Sequence, residues 1–141
     1  MAITNCYLDL NNNNSCNVVC QFNNCIIAGT KKPNSSCTAY NCIVPEGLLS
    51  DLLDKEGNYE VSDVNSLFVE DYTTDANFYK LTDEAAATYL GQDGTQVGIY
   101  GGSRPYTPVP SYPRIVEKSI AGQTTTDGKL RVYVKGEAQK K

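Results

Sequence analysis

Asn5-Cys6-Tyr7-Leu8, Asn24-Cys25-Ile26-Ile27 and Asn41-Cys42-Ile43-Val44 are three versions of one phrase, returning at spacings of 19 and 17 residues. With thirteen Asn and six Cys in 141 residues, random order would give about half of one Asn-Cys pair, so three in near-register mark an internal repeat. The match extends upstream, because Cys20-Gln-Phe-Asn-Asn-Cys-Ile-Ile aligns with Cys37-Thr-Ala-Tyr-Asn-Cys-Ile-Val and places a second Cys five residues before the first in both. So short a period does not accommodate a helix-turn-helix unit. It fits one coil of a β-solenoid, whose short strands bond to the coils above and below.

Equivalent residues of such coils stack about 4.8 Å apart. At that spacing Asn5, Asn24 and Asn41 are expected to form an amide ladder at a bend, and Cys6, Cys25 and Cys42 to stack inside a narrow core. The six cysteines (Cys6, Cys16, Cys20, Cys25, Cys37, Cys42) are read as thiols. Three disulfides are the competing arrangement, since adjacent rungs bring equivalent cysteines into bridging range. Zinc is disfavoured by the lack of any Cys-x-x-Cys or His. Residues 11–14, all Asn, read as a polar loop between rungs.

The composition agrees with an all-β chain: no Trp, three Phe, ten Tyr and much Asn, Thr, Ser and Gly. Absence of His removes the commonest general base and metal ligand. The formal charge of −4 argues against nucleic acid. That charge is uneven, with seven basic and three acidic residues from Arg114 onward, hence +4 there and −8 before it. The basic tail reads as a solvated hairpin edge. No run is long and apolar enough to span a membrane, and the segment after Met1 shows no signal peptide, so an exported version of this chain is expected to be part of a parent protein.

Beyond the repeat, Leu48, Leu49, Leu52 and Leu53 suggest a short helical insertion near 46–56. Residues 66–70 and 78–81 read as strands, and 82–90 as a helical turn capped by Thr82 and ended by Gly91. The glycines of 91–102 bracket a strand at 97–100 and do not match a phosphate loop. Residues 103–113 form a Pro-rich linker. A hairpin then occupies 114–141, with Leu130, Val132 and Val134 on an apolar face that needs a partner surface.

Three stretches, Ser66-Leu-Phe-Val-Glu-Asp, Asn77-Phe-Tyr-Lys-Leu and Asp93-Gly-Thr-Gln-Val-Gly-Ile-Tyr-Gly-Gly, together resemble the closing rung of extracellular right-handed parallel β-helix repeat proteins of gut bacteria. That family shows Asp-Pro-Leu-Phe-Val-Asp, Asp-Phe-Arg-Leu, a Gly-Ser-Pro-Ala-Ile loop and Asp-Gly-x-x-Ile-Gly-Ala-Tyr-Gly-Gly. This chain departs at Ser66 and at Thr82-Asp-Glu-Ala-Ala-Ala. The resemblance implies that 1–102 are terminal rungs of a right-handed parallel β-helix, in an exported, surface-associated protein linked to carbohydrate handling. It carries over no catalytic residue.

The expected function is a noncatalytic structural or binding end module, without cofactor, that contacts a polysaccharide or a cell-envelope component. Tyr100, Tyr106 and Tyr112 are the candidate sugar-stacking rings. The competing readings are a fragment of a polysaccharide lyase or hydrolase using Asp71 and Asp75, and a calcium site using Asp71, Asp75 and Asp93. Self-association through an exposed first rung is a further expectation.

Overall fold

In a computed structural model of the chain, which describes residues 1–10, 18–108 and 112–138 (backbone alone at 54 and 55), the repeat becomes four stacked rungs. Each rung has two short strands joined at a corner: β1 (Ala2–Thr4) and β2 (Tyr7–Asp9), β3 (Gln21–Asn23) and β4 (Ile26–Ala28), β5 (Thr38–Tyr40) and β6 (Ile43–Pro45), β7 (Leu53–Glu56) and β8 (Tyr59–Val61). The first members build one parallel sheet, β1-β3-β5-β7, and the second members another, β2-β4-β6-β8. The chain is therefore a parallel β-solenoid, as the repeat implied. The polar loop read at 11–14, Cys16, and the middle of the Pro-rich stretch at 109–111 lie outside the described residues.

The corners explain the asparagines. Asn5, Asn24 and Asn41 have φ of +52, +51 and +50°, and Gly57, at the same place in the fourth rung, has +67°. This left-handed conformation is cheap for Gly and, after it, for Asn, but costly for residues with larger side chains. Each corner N–H then reaches the next rung: Asn5 donates to the Asn23 carbonyl (3.0 Å), Asn24 to Tyr40 (3.0 Å) and Asn41 to Glu56 (2.8 Å). Among the described residues no bond joins the three carboxamides to one another. Asn24 turns aside: its Oδ1 accepts from the N–H of Gln92 at 3.2 Å. Asn5 lies against Gly102, Asn24 against Gly91 and Asn41 against Gly57, where any Cβ would collide with the amide. Backbone conformation, rather than the expected amide-to-amide ladder, sets this column.

The thiols satisfy polar backbone where the chain turns. The N–H of Cys20 donates to Sγ of Cys37 (3.3 Å) and that of Cys25 to Sγ of Cys42 (3.4 Å), one rung higher. Two thiols also point at a carbonyl of the rung below, Cys37 at Val18 and Cys25 at Ile3, both 3.5 Å away. In the fourth rung Asn58 replaces Cys, accepting from the Cys42 N–H (2.9 Å) and donating to the Ala39 carbonyl (2.8 Å). Cys6, Cys25, Cys37 and Cys42 are free thiols. Contact with the Cys42 thiol, together with burial, pushes the Cys25 thiol up, which keeps it protonated and unreactive.

Phe22, Ile27, Ala39 and Val44 fill the solenoid interior with these cysteines, and Leu48 and Leu52 close its upper part. The expected helix near 46–56 shrinks to one 3-10 turn, Leu49–Asp51, followed almost at once by β7. The four-residue spacing of Leu48 and Leu52 suits a turn feeding a strand as well as a helix, and the interior claims both. The Glu60 carboxylate accepts from the N–H groups of Gly47 (3.0 Å) and Leu49 (3.3 Å), tying the fourth rung to the turn that leads into it.

Rungs end at Val61, well short of the expected residue 102. From Val64 onward the chain covers the outer face of the second sheet, where Val64, Phe68, Leu81, Ala85 and Val97 bury with Ile26, Ala28 and Ile43. This cover has little regular structure. The strands expected at 66–70 and 78–81 reduce to a 3-10 turn, Asn65–Leu67, and one antiparallel bridge between Phe68 and Leu81. The strand expected at 97–100 is a run of turns, because the strongest constraint there is close approach: Gly98, with φ +92°, would place a Cβ 2.6 Å from Ile26 Cδ1. The expected helical turn is present as α1 (Asp83–Thr88), and the Thr82 hydroxyl accepts from the N–H of Ala85 at 3.2 Å.

Met1–Tyr106 and Thr107–Lys141 are two compact units. The second is the expected hairpin, β9 (Arg114–Ile120) antiparallel to β10 (Val132–Glu137), with a register shift between Lys135 and Gly136. Leu130, Val132 and Val134 are exposed. No helix among the described residues is long and apolar enough to cross a membrane.

If corner conformation outweighs amide bonding, Asn41→Gly leaves stability nearly unchanged, whereas Asn41→Ala costs about 1–2 kcal/mol. Urea unfolding followed by circular dichroism measures both; equal losses would restore the amide ladder.

Candidate functional site

The outer column of the second sheet runs Tyr7, Ile26, Ile43, Tyr59. The two isoleucines are buried under the cover, while the tyrosines at either end of the column are only partly buried. Tyr59 packs edge-on against Tyr89, with ring centroids 5.2 Å apart, and donates its hydroxyl to the Leu90 carbonyl at 3.2 Å. At the other end a larger aromatic cluster forms. Tyr7 stacks on Tyr79 (3.8 Å, 21°), and Phe68 meets both rings edge-on, at 5.7 and 5.6 Å. Tyr72 stacks on Phe68 at 5.0 Å.

Tyr79 is held with φ +45°, a left-handed conformation that costs a bulky residue energy. Two backbone bonds fix it: its N–H donates to the Tyr72 carbonyl (2.8 Å), and the next N–H, of Lys80, donates to Asn77 (2.9 Å). The resulting kink sets Phe78 edge-on to Tyr79 at 4.7 Å and leaves Phe78 exposed. Phe78 then meets Tyr106 at 6.1 Å, and Tyr106 meets Tyr100 at 5.5 Å and 88°. A row of rings, Tyr79, Phe78, Tyr106 and Tyr100, thus runs from the sheet to the end of the first unit.

The loop that presents Tyr100 and Tyr106 is tied from within. The Asp93 carboxylate accepts from the Thr95 hydroxyl (2.7 Å) and N–H (3.0 Å), and those bonds hold it below the usual carboxylate range. Thr95 Oγ1 accepts in turn from the N–H of Gly102 (2.7 Å), and the Tyr106 N–H donates to Ile99 (2.7 Å). Burial raises the Tyr100 phenol, with a smaller contribution from Tyr106, and its hydroxyl is buried without a hydrogen-bond partner, as is Asn5 Oδ1. Burial also raises the Tyr7 phenol well above its ordinary value, with Tyr79 and Asp9 adding to the effect. The Tyr7 and Tyr100 phenols are therefore neutral near pH 7.

Of the three tyrosines singled out as sugar-stacking candidates, the structure brings Tyr100 and Tyr106 together. Tyr112 belongs to the second unit. The sequence reading missed Phe78, Tyr79 and Tyr7. A signal existed for Tyr7, since an aromatic residue stands where the next two repeats have Ile. Nothing marked Tyr79 as left-handed. Asp71, Asp75 and Asp93 do not assemble into a metal site: among the described residues no three His, Cys, Asp or Glu side chains could hold an ion.

The fold and this row define the class as a short parallel β-solenoid with an aromatic surface at one side. No protein-family model, curated protein or solved structure matches the chain.

Gly101 is the tightest point beneath the row, because a Cβ there would run into the Gln96 carbonyl. Gly101→Ala is expected to displace the loop, lose about 1–3 kcal/mol of stability and weaken the near-ultraviolet dichroism of the tyrosines. An unchanged near-ultraviolet spectrum would contradict the tight packing.

Proposed function

We propose that this chain is a noncatalytic structural and binding end module of an exported, surface-associated β-helix assembly, and that it contacts neutral polysaccharide through the Tyr79, Phe78, Tyr106, Tyr100 row. The observation that carries the reading is this row of adjoining rings, in which Phe78 and Tyr106 are 41% and 38% exposed beside a strained Tyr79. Exposed rings bury the C–H face of a pyranose while a phenol hydroxyl bonds sugar hydroxyls.

The glycan is neutral on electrostatic grounds. Residues before Arg114 carry a formal −8, which repels a polyuronate and favours an uncharged chain. The same repulsion weighs against a lyase acting on uronic-acid polymers. The end-module role is supported by the fourth rung, where Asn58 replaces the column's cysteine and bonds the rung below it.

Binding is testable on an array of neutral polysaccharides followed by titration calorimetry. A neutral glycan is expected to bind, and Phe78→Ala or Tyr106→Ala to weaken it about tenfold each, ~1.4 kcal/mol. Failure to bind any neutral glycan, or equal affinity in the double variant, contradicts the reading.

A further inference from the structure

Among the described residues of the second unit, β9 and β10 are the regular structure. A two-stranded hairpin is marginal by itself in water and becomes stable by burying an apolar face. Cross-strand partners share a face, so the register sorts the hairpin's side chains into two sets. On one face Tyr133 lies opposite Ser119, Lys135 opposite Glu117 and Glu137 opposite Arg114. Opposite charges meet there, and Arg114 and Glu137 form an ion pair at 3.5 Å.

The other face pairs Val132 with Ile120 and Val134 with Lys118. Gly136 continues that alternation, and the register shift between Lys135 and Gly136 sets Ile115 opposite it. In an unshifted ladder Ile115 would fall among the charges; the bulge carries it to the apolar set instead. Leu130 precedes Val132 in the same alternation, and the pairing continues toward it through the Ala121 N–H, which donates to the Arg131 carbonyl at 2.9 Å. Ile115, Ile120, Leu130, Val132 and Val134 are each half or more exposed. Lys118 is the one charged side chain among these positions. In a sheet of two strands its stem can lie over the apolar patch while the ammonium reaches water past the edge.

We infer that this face is covered by the same face of a second copy of the chain, so that two hairpins stack across a two-fold axis as a sandwich of four strands. Area favours a second copy: five aliphatic side chains at these exposures cover about 500 Å² on each chain and about 1,000 Å² in the pair, the lower bound for a specific interface. Charge favours it as well. The face presents a single ammonium, too little to recognise an acidic partner, and the charges of the opposite face are already matched across the strands. What remains is an aliphatic surface whose complement is another like it. The contact is isologous, so it closes at two copies and does not propagate. The inference goes beyond the glycan reading and stands or falls separately from it.

The test is the solution mass of the full chain, by light scattering and by sedimentation equilibrium over a concentration series. The expected mass at the upper end of the series is twice 15.4 kDa. Val132→Lys and Ile120→Lys, which charge the centre of the apolar face, are each expected to yield a monomer whose far-ultraviolet dichroism still reports the solenoid. Tyr133→Lys, on the opposite face of the same strand, is expected to leave the dimer intact. Mixing Val132→Lys with Val132→Glu is expected to restore the doubled mass, which separates a lost contact from a hairpin that has merely unfolded. A wild-type chain that stays monomeric at every concentration overturns the inference, and its sedimenting with anionic vesicles would identify a lipid surface as the occupant instead. A dimer that survives both lysine substitutions, or one that Tyr133→Lys dissociates equally, overturns it too.

Discussion

Every rung turns the same corner, and it turns there on a left-handed residue. A positive φ at Asn5, Asn24, Asn41 and Gly57 swings the chain from one parallel sheet to the other, while the N–H of each asparagine still bonds upward. The strands on either side are only three or four residues long, far too short to be stable alone. They persist because the corner repeats in register, so each strand finds a neighbour on a fixed course. The cysteines complete the corner. A thiol is small enough for a narrow interior, accepts an N–H from below and donates to a carbonyl, and it is matched in the fourth rung by the carboxamide of Asn58.

From that constraint the rest of the first unit follows. A stacked column of outward-facing Ile26 and Ile43 leaves an apolar strip on the second sheet, and the chain returns across it with Phe68, Leu81, Ala85 and Val97. The return path is irregular because its partners are side chains, not strand edges. Glycines let it approach: Gly91 and Gly102 sit against Asn24 and Asn5, and Gly98 against Ile26. The column begins with an aromatic, Tyr7, which recruits Tyr79, and the kink at Tyr79 leads outward to Phe78, Tyr106 and Tyr100. The aromatic row is thus a consequence of where the solenoid begins its outer column and how the cover crosses it.

The solenoid was legible because Asn-Cys recurs at nearly one spacing, and a recurring pair reports a recurring geometry. The fourth rung escaped notice for a physical reason: Gly57-Asn58 does the work of Asn-Cys with different atoms, Gly supplying the φ and Asn the donor and acceptor. Once that rung is hidden, Leu48 through Leu53 look like a helix, although the interior takes Leu48 and Leu52 and leaves Leu53 on the surface. Asparagine offered two readings, amide bonding and left-handed backbone, which composition and spacing do not separate. At the candidate site, Tyr100 and Tyr106 could be singled out as aromatic residues near the end of the repeat region. Phe78 and Tyr79 could not, since their role depends on a kink fixed by tertiary contacts between residues 72 and 80.

The central claim is parallel stacking of successive rungs, and nuclear Overhauser contacts between backbone protons test it most directly. The account predicts contacts joining Phe22 to Ile3 on one side and to Ala39 on the other, and Ile26 likewise to Tyr7 and Ile43. Contacts that pair any of these strands antiparallel, or that leave residues 21–28 and 38–45 without mutual contacts, would contradict it.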